Sequence, residues 1–430
     1  MVITLNMSRE IIQVEAEKRP VGGRVSGMFR ALSHRNYRLF WSGAFLSNTG
    51  TWMQAVAQGW LMFQLTNSPF WLGLDAFMAT APGIVLTLAG GVFADLMDRR
   101  RLLIYTQIVS GVAALVLGVL VVTHVVDRWM ILGLSFVTGA CLSIAGPSYQ
   151  AITFDLVGRE DVANAVALNS AQFQLSRVLG PVFAGLGFRA FGLAGCFFAN
   201  GVSFVAVVVA LCMVRFGPSG NAPAPVLRER GAFMRDLLDG FRYVRKRPRV
   251  SMLLVISAVT SMFGAPYLSM TPVYARDIFH LGETGLAVMM GTAGAGAFFG
   301  AVILTWLGDF RRRGLSVLGG AFAFGACLIC FALSTNLIVS LVFLFGMGLA
   351  IVLSVAVTNT LLQQLVTNEM RGRVMSMFML SFIGAMPIGN LIAGMASHRF
   401  GVPHTLATGG LIITVFVAAI TLRSASLRDL

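Results

Sequence analysis

The chain has 430 residues, of which 57% are hydrophobic and only 12% charged, with 47 glycines and a mean hydropathy of +0.80. A soluble domain carries about a quarter charged residues, so this chain has too little polar surface to coat a particle of its size in water. Disorder needs low hydrophobicity and high charge, and the same figures exclude it; five cysteines, odd in number and set in apolar runs, do not make a disulfide framework.

Residues 1–38 form a polar head without the charge, short apolar run and small-residue cleavage site of a secretory signal. From Leu39 onward, apolar runs of the ~20 residues that a bilayer core requires fall at 39–64, 70–94, 102–123, 129–152, 168–188 and 192–214. A polar segment, 215–250, interrupts them. It opens with the flexible run from Gly217 to Pro225 and then turns basic, with Phe233, Leu237, Leu238, Phe241 and Tyr243 spaced as in an amphipathic helix lying at an interface. Six more runs follow at 251–274, 285–307, 315–334, 337–361, 374–396 and 402–422, and 423–430 is a short tail. The expected fold is an all-α membrane protein of twelve transmembrane helices, in two six-helix bundles at 39–214 and 251–422.

An even number of spans puts both termini on one side. The face holding the head, the tail and the middle segment carries 27 Lys and Arg; the other carries Arg128, Arg189, Arg276 and Arg399. Basic loops stay in the cytoplasm, so both termini are expected there, in a plasma membrane or bacterial inner membrane. The net charge of +14 is thus a topology signal. Its arginines are spread over seven segments rather than one patch, and the expected partners are lipid and a small molecule, not nucleic acid.

The two halves repeat. SRVLGPVFAG ends at Gly185 in span 5 and PIGNLIAG at Gly394 in span 11; Gly180 and Gly185 recur as Gly389 and Gly394. GGVFADLMDRRR (90–101) follows span 2 and LGDFRRRG (307–314) follows span 8. A six-plus-six repeat is a common build for secondary transporters, which handle substrate between the halves near the bilayer midplane. Gly91-x-x-x-Asp95 followed by Arg99, Arg100 and Arg101 resembles the signature loop of the major facilitator superfamily, with Asp98 where that loop carries glycine. Gly180-Pro181 resembles the antiporter motif of its drug-efflux branches. VANAVALNSAQFQLSRVLGPVFAG and RGRVMSMF resemble the subgroup of the enterobactin exporter and macrolide-efflux-type proteins. The resemblance covers 39–422. It implies export of drugs, siderophores or related amphipathic metabolites by proton antiport, a functional monomer, and no cofactor beyond the proton gradient. Span 4 lacks the arginine usual in proton-coupled efflux members, a departure that bears on the coupling. The resemblance also implies that Gly91, Asp95, Arg99 and Arg100, with Asp309, Arg311 and Arg312 in the second half, latch the cytoplasmic side shut.

Of eighteen Asp and Glu, only Asp75 lies well inside a span, about six residues and hence ~9 Å from its outer end. A charged residue at mid-helix costs about 2.5–3.5 kcal/mol on insertion scales and faces the bundle interior or a wet cavity. One reading makes Asp75 a proton- or cation-binding switch; the other starts span 2 later and leaves it in an outer vestibule. Arg177, the one base in mid-span, shares a face with Ser170, Gln174 and Pro181. Its planar fork suits carboxylate, phosphate or carbonyl, so it binds an anionic substrate, pairs with Asp75, or staples span 5 to a neighbour.

Ser47, Asn48, Thr51, Gln54 and Gln58 form a polar stripe on span 1, and Ser257, Thr260, Ser261, Tyr267 and Thr271 repeat it on span 7. Such groups line a water-filled path or make interhelical hydrogen bonds; the matched pair favours a shared cavity. Cys327 and Cys330 lie in an apolar span without further ligands, and GTAGAGAFFG (291–300) has no preceding strand or lysine, so neither a metal site nor a nucleotide loop is expected. The chain reads as a transporter rather than an enzyme, with a lipid or lysophospholipid flippase, or an uptake permease of the same fold, as the alternative.

Overall fold

The computed structural model describes residues 29–84, 86, 98–214, 232–308 and 312–423. Among them, nine helices are long and apolar enough to cross a membrane. One of these, Glu160–Met213, holds two crossings divided at Gly192, where φ is +67°. The helix Arg35–Thr66 and the one that starts at Pro69 complete twelve. In chain order they are α1 (Arg35–Thr66), α2 (Pro69–Thr80), α3 (Arg99–Val122), α4 (Arg128–Gly158), α5 (160–191), α6 (193–213), α7 (Pro248–Ile278), α8 (Glu283–Leu307), α9 (Arg313–Leu333), α10 (Leu337–Leu365), α11 (Asn368–Phe400) and α12 (Val402–Arg423).

Several helices outrun their apolar stretches. Residues 153–167, a loop by composition, are helical apart from the break at Gly158 (φ +69°); hydropathy marks where the oil ends, not where the helix does. Gly158 supplies a turn that side-chain-bearing residues disfavour. In the same way α11 begins at Asn368, six residues before its apolar run, and α7 opens on Pro248, a residue at home in a first helical turn. The start of α3 is capped by Asp98, whose side chain accepts from Arg101 N at 2.9 Å. Between 215 and 248 the described part is a short helix, Ala232–Arg245.

The first crossing is tied down where it enters the membrane. Arg30 Nε and His34 Nε2 both reach the Asp161 carboxylate, at 3.0 and 2.8 Å. Tyr37 donates to Ala165 O or Asn169 Oδ1, at 3.0 and 2.9 Å. These contacts hold α1 to α5 on the face that carries the arginine-rich turns, called the basic face below.

The two bundles meet through glycines. A Cβ added to Gly73 of α2 would stand 2.5 Å from Asn390 O and 2.7 Å from Gly394 Cα of α11; one added to Gly294 of α8 would stand 2.5 Å from Arg177 O of α5. Removing Cβ at these positions lets helix backbones touch, which is how dispersion holds helices together where lipid offers no hydrophobic drive. Nearer the face opposite the basic one, Arg276 of α7 lies over the Phe63 ring of α1 at 3.8 Å.

Candidate functional site

In the first bundle a cavity of about 460 Å³ is enclosed by α1 to α6. Its wall on α1 runs from Phe40 through Ser47, Asn48, Thr51 and Gln54 to Gln58, which is ~27 Å of helix at ~1.5 Å per residue. Gln107 of α3, Gln150 of α4 and Asn200 of α6 face the same space, so six carboxamides line it, with Phe40, Tyr149, Phe173 and Phe204. None of its described lining residues is charged.

Asp75 stands just behind this wall. It is on α2, 8% exposed, and Gln58 lies between it and the cavity. Gln58 Nε2 donates to Asp75 Oδ1 and Oδ2, at 3.1 and 2.9 Å, and to Ser135 Oγ at 2.8 Å. Ser135 of α4 in turn donates to Asp75 Oδ1 at 2.5 Å. One amide hydrogen bridges the carboxylate and the other reaches the serine, so the three side chains close a ring. Among the described residues no cation pairs with Asp75. The helix begins at Pro69, so the carboxyl is enclosed by three helices rather than set in an outer vestibule.

The hydrogen bonds continue away from the carboxylate. Gln54 Nε2 donates to Gln58 Oε1 at 3.4 Å, Asn200 Nδ2 donates to Gln54 Oε1 at 2.7 Å, and Ser203 Oγ approaches Asn200 Oδ1 at 3.1 Å. Ser135, Gln107, Gln150 and Asn200 were not singled out from sequence. None belongs to a polar stripe as long as that of α1, and only the helix neighbours disclose what each meets.

Arg177 is not beside Asp75. Its Nη2 donates to Tyr267 OH of α7 at 3.2 Å, and its guanidinium sits 5.6 Å from the centre of the Trp52 ring. It therefore joins the two bundles, and Gln174 of the same helix donates to Ala297 O of α8 at 3.4 Å. A Cβ on Gly180 would collide with Trp52 and Met53 of α1, and one on Gly185 would lie 3.2 Å from Ala287 of α8. The Gly180-Pro181 segment is thus the place where α5 touches α1 and α8 closely.

The second polar stripe has a different setting. Ser257, Thr260, Ser261, Tyr267 and Thr271 are all buried, and none lines the first-bundle cavity. Ser257 and Thr271 donate to their own helix, to Leu253 O and Tyr267 O at 2.9 and 2.7 Å. Ser261 donates to Phe382 O of α11, and Thr260 Oγ1 has no partner among the described residues.

Of the residues expected to latch the cytoplasmic side, Gly91, Asp95, Asp309 and Arg311 lie outside the described residues. Arg99 pairs with Asp155 at 3.4 Å and Arg100 donates to Cys212 O at 2.8 Å, so both bond within the first bundle. Arg312 sits in the turn before α9, with φ +68°.

Comparison with known proteins matches residues 26–429 to a family described as transmembrane secretion effector. The chain is 22% identical over 391 residues to macrolide efflux protein A of Streptococcus pyogenes, covering 89% of this chain and 96% of that protein. It is 25% identical over 390 residues to the enterobactin exporter EntS of Shigella boydii, covering 89% and 90%. A crystal structure of the nucleoside transporter NupG superposes with a TM-score of 0.72 at 11% identity, over 90% of this chain and 99% of that one.

Proposed function

We propose, since the chain belongs to the transmembrane secretion effector family of the major facilitator superfamily, that it exports small amphipathic organic molecules by proton antiport with alternating access. In this reading the basic face is cytoplasmic, because 27 Lys and Arg lie there against four on the other face. The membrane is a plasma membrane, a bacterial inner membrane in particular. The bundles 39–214 and 251–422 rock about a site reached through the first-bundle cavity. Its amides, hydroxyls and aromatic rings suit a solute with a polar and an apolar side. The efflux relatives point to the same class, macrolide in one case and enterobactin in another.

The observation that carries the coupling is Asp75: a carboxylate enclosed by α1, α2 and α4 and bonded, among the described residues, only to uncharged donors. A lone buried charge is costly in a medium of low dielectric, and a proton is the smallest ligand that cancels it. Asp75 takes up that proton in one state of the cycle and releases it in the other. Gly180, Pro181 and Gly185 give the close helix contact about which α5 moves, and Arg177 joins the bundles.

The test is transport by the purified protein in liposomes under an imposed pH gradient. Erythromycin and enterobactin serve as the first cargoes. Asp75→Asn keeps the hydrogen-bonding shape and removes the titratable group, so gradient-driven transport is expected to vanish while cargo exchange without a gradient persists. Gradient-driven transport at the unmodified rate in Asp75→Asn would retire the reading.

A further inference from the structure

The hydrogen bonds around Asp75 all run one way. Asn200 donates to Gln54, Gln54 to Gln58, and Gln58 to Asp75. A carboxamide has an acceptor end and a donor end, so a row of them has a polarity, and this one points its donors at the carboxylate. Three members of the row, Gln54, Gln58 and Asn200, also line the cavity. What each amide offers to Asp75 therefore fixes what it offers to a solute.

We propose that Gln54 and Asn200 are positioning residues of the coupling site, forming with Gln58 an amide relay that links the protonation of Asp75 to the cavity wall. This rests on the reading of Asp75 as the proton site. When Asp75 is ionised it accepts from Gln58, and the row keeps the observed direction. A protonated Asp75 carries an O–H that needs an acceptor; rotation of the Gln58 amide presents Oε1 to it. Gln58 then turns its N–H toward Gln54, which must rotate in turn, and so must Asn200. The row reverses, and the cavity is offered carbonyl oxygens where it was offered N–H groups, or the converse. A solute that hydrogen-bonds to this wall favours one direction over the other and so favours one charge state of Asp75. By linkage the effect is reciprocal.

Ser135 also touches Asp75, but its hydroxyl bonds onward only to Gln58, and among the described residues no charged or phenolic side chain bonds to Asp75. Among charged side chains on the helices around α2, Arg177 is held by Tyr267 and Trp52, Arg128 lies over Trp71, and Arg276 pairs with Asp277. His398 and Arg399 are in the last turn of α11. The buried phenols nearby on α7 are engaged with Arg177 at Tyr267 and with Ala332 O at Tyr274. None of these bonds reaches Asp75.

The test reads the carboxylic C=O stretch by infrared difference spectroscopy on the purified full-length protein in lipid nanodiscs during a pH titration, with no cargo needed. The band lost in Asp75→Asn is assigned to Asp75. Asn200→Ala and Gln54→Leu, made separately so that either suffices if the other does not fold, are expected to move the midpoint of that band. The expected shift is about half a pH unit, the worth of one interhelical hydrogen bond. Gln107→Leu and Gln150→Leu remove amides from the same cavity that are not in the row and are expected to leave the midpoint in place. If the row variants do not move it, or the two controls move it equally, the relay is wrong and the coupling role of Asp75 stands. If no band disappears in Asp75→Asn at any pH, Asp75 takes no proton, and the coupling role falls together with the relay.

Discussion

The polar stripes of α1 and α7 occupy matching places in the two bundles, yet one opens onto a cavity and the other is buried in helix contacts. The difference is in the residue types. Ser257 and Thr271 bond to carbonyls four residues back in their own helix, as hydroxyls commonly do, and a stripe of them can be packed away. Asn48, Gln54 and Gln58 have longer amides with two donor hydrogens and an acceptor; their own turn does not satisfy them, so they require either a wet space or one another. The first bundle supplies both. The second bundle has a cavity of about 680 Å³ that is lined mainly by apolar residues, Phe263, Pro266, Ile392, Phe400 and Ile412 among them, with His404, Thr405 and Thr408 and no carboxamide. The described carboxamides that line a cavity are thus gathered in the first bundle.

The largest effect is expected where the two halves exchange a polar contact. Arg177→Ala removes both the bond to Tyr267 and the stacking on Trp52. Arg177 and Trp52 are both half-buried, so the cation–π contact is worth about 1 kcal/mol and the hydrogen bond about 0.6 kcal/mol; transport should fall by roughly 15-fold, with insertion into the membrane retained. Tyr267→Phe removes only one hydrogen bond, worth about 0.6 kcal/mol in a membrane, and should cost about threefold. Equal losses in the two variants would show that the second bundle contributes chemistry of its own.

The next effect tests a glycine contact between the halves. Gly73 and Gly394 face each other, and a side chain on either meets backbone within about 3 Å. Gly73→Val and Gly394→Val should each disfavour this closed contact by about 1–3 kcal/mol, the usual cost of overpacking. Labelling of single cysteines placed along α2 and α11 should rise in both, more for Gly73→Val, whose Cβ meets backbone at 2.5 Å, than for Gly394→Val, whose Cβ meets it at 3.1 Å. A strong response to one and none to the other would mean that the interface is less symmetric than its glycines.

Much of this arrangement is written in the sequence. Asp75 stands out because an acid in an apolar run has no inexpensive explanation, and the α1 stripe stands out because its members recur at helical spacing. The twelve crossings follow from run lengths alone. What periodicity cannot disclose is which helix meets which: Ser135 and Asn200 complete the surroundings of Asp75 and Gln54, but within their own spans they belong to no polar stripe as long as that of α1. The partner of Arg177 was equally hidden, because carboxylate, carbonyl and phenol all suit a guanidinium and only the helix packing selects Tyr267. The helical character of 153–167 was missed because polarity was taken for irregularity, whereas a helix that has left the oil needs polar residues to continue into water.

The smallest expected effect bears most directly on the contrast between the stripes. Thr260 is 2% exposed and its Oγ1 has no partner among the described residues, so its hydroxyl carries a desolvation cost with no bond to offset it. Valine has the same shape without that hydroxyl. Thr260→Val should therefore leave transport unchanged and raise thermal stability by up to about 1 kcal/mol. Thr51, at the equivalent depth on α1, lines the cavity and is exposed to it. Thr51→Val should leave stability alone and raise the KM for a bound cargo by about threefold, the worth of a single hydrogen bond there. Melting curves and transport kinetics on the same two proteins separate the outcomes. If Thr260→Val weakens cargo affinity as Thr51→Val does, the hydroxyls of α7 reach the solute in another state of the cycle, and the second bundle is more than a packing partner.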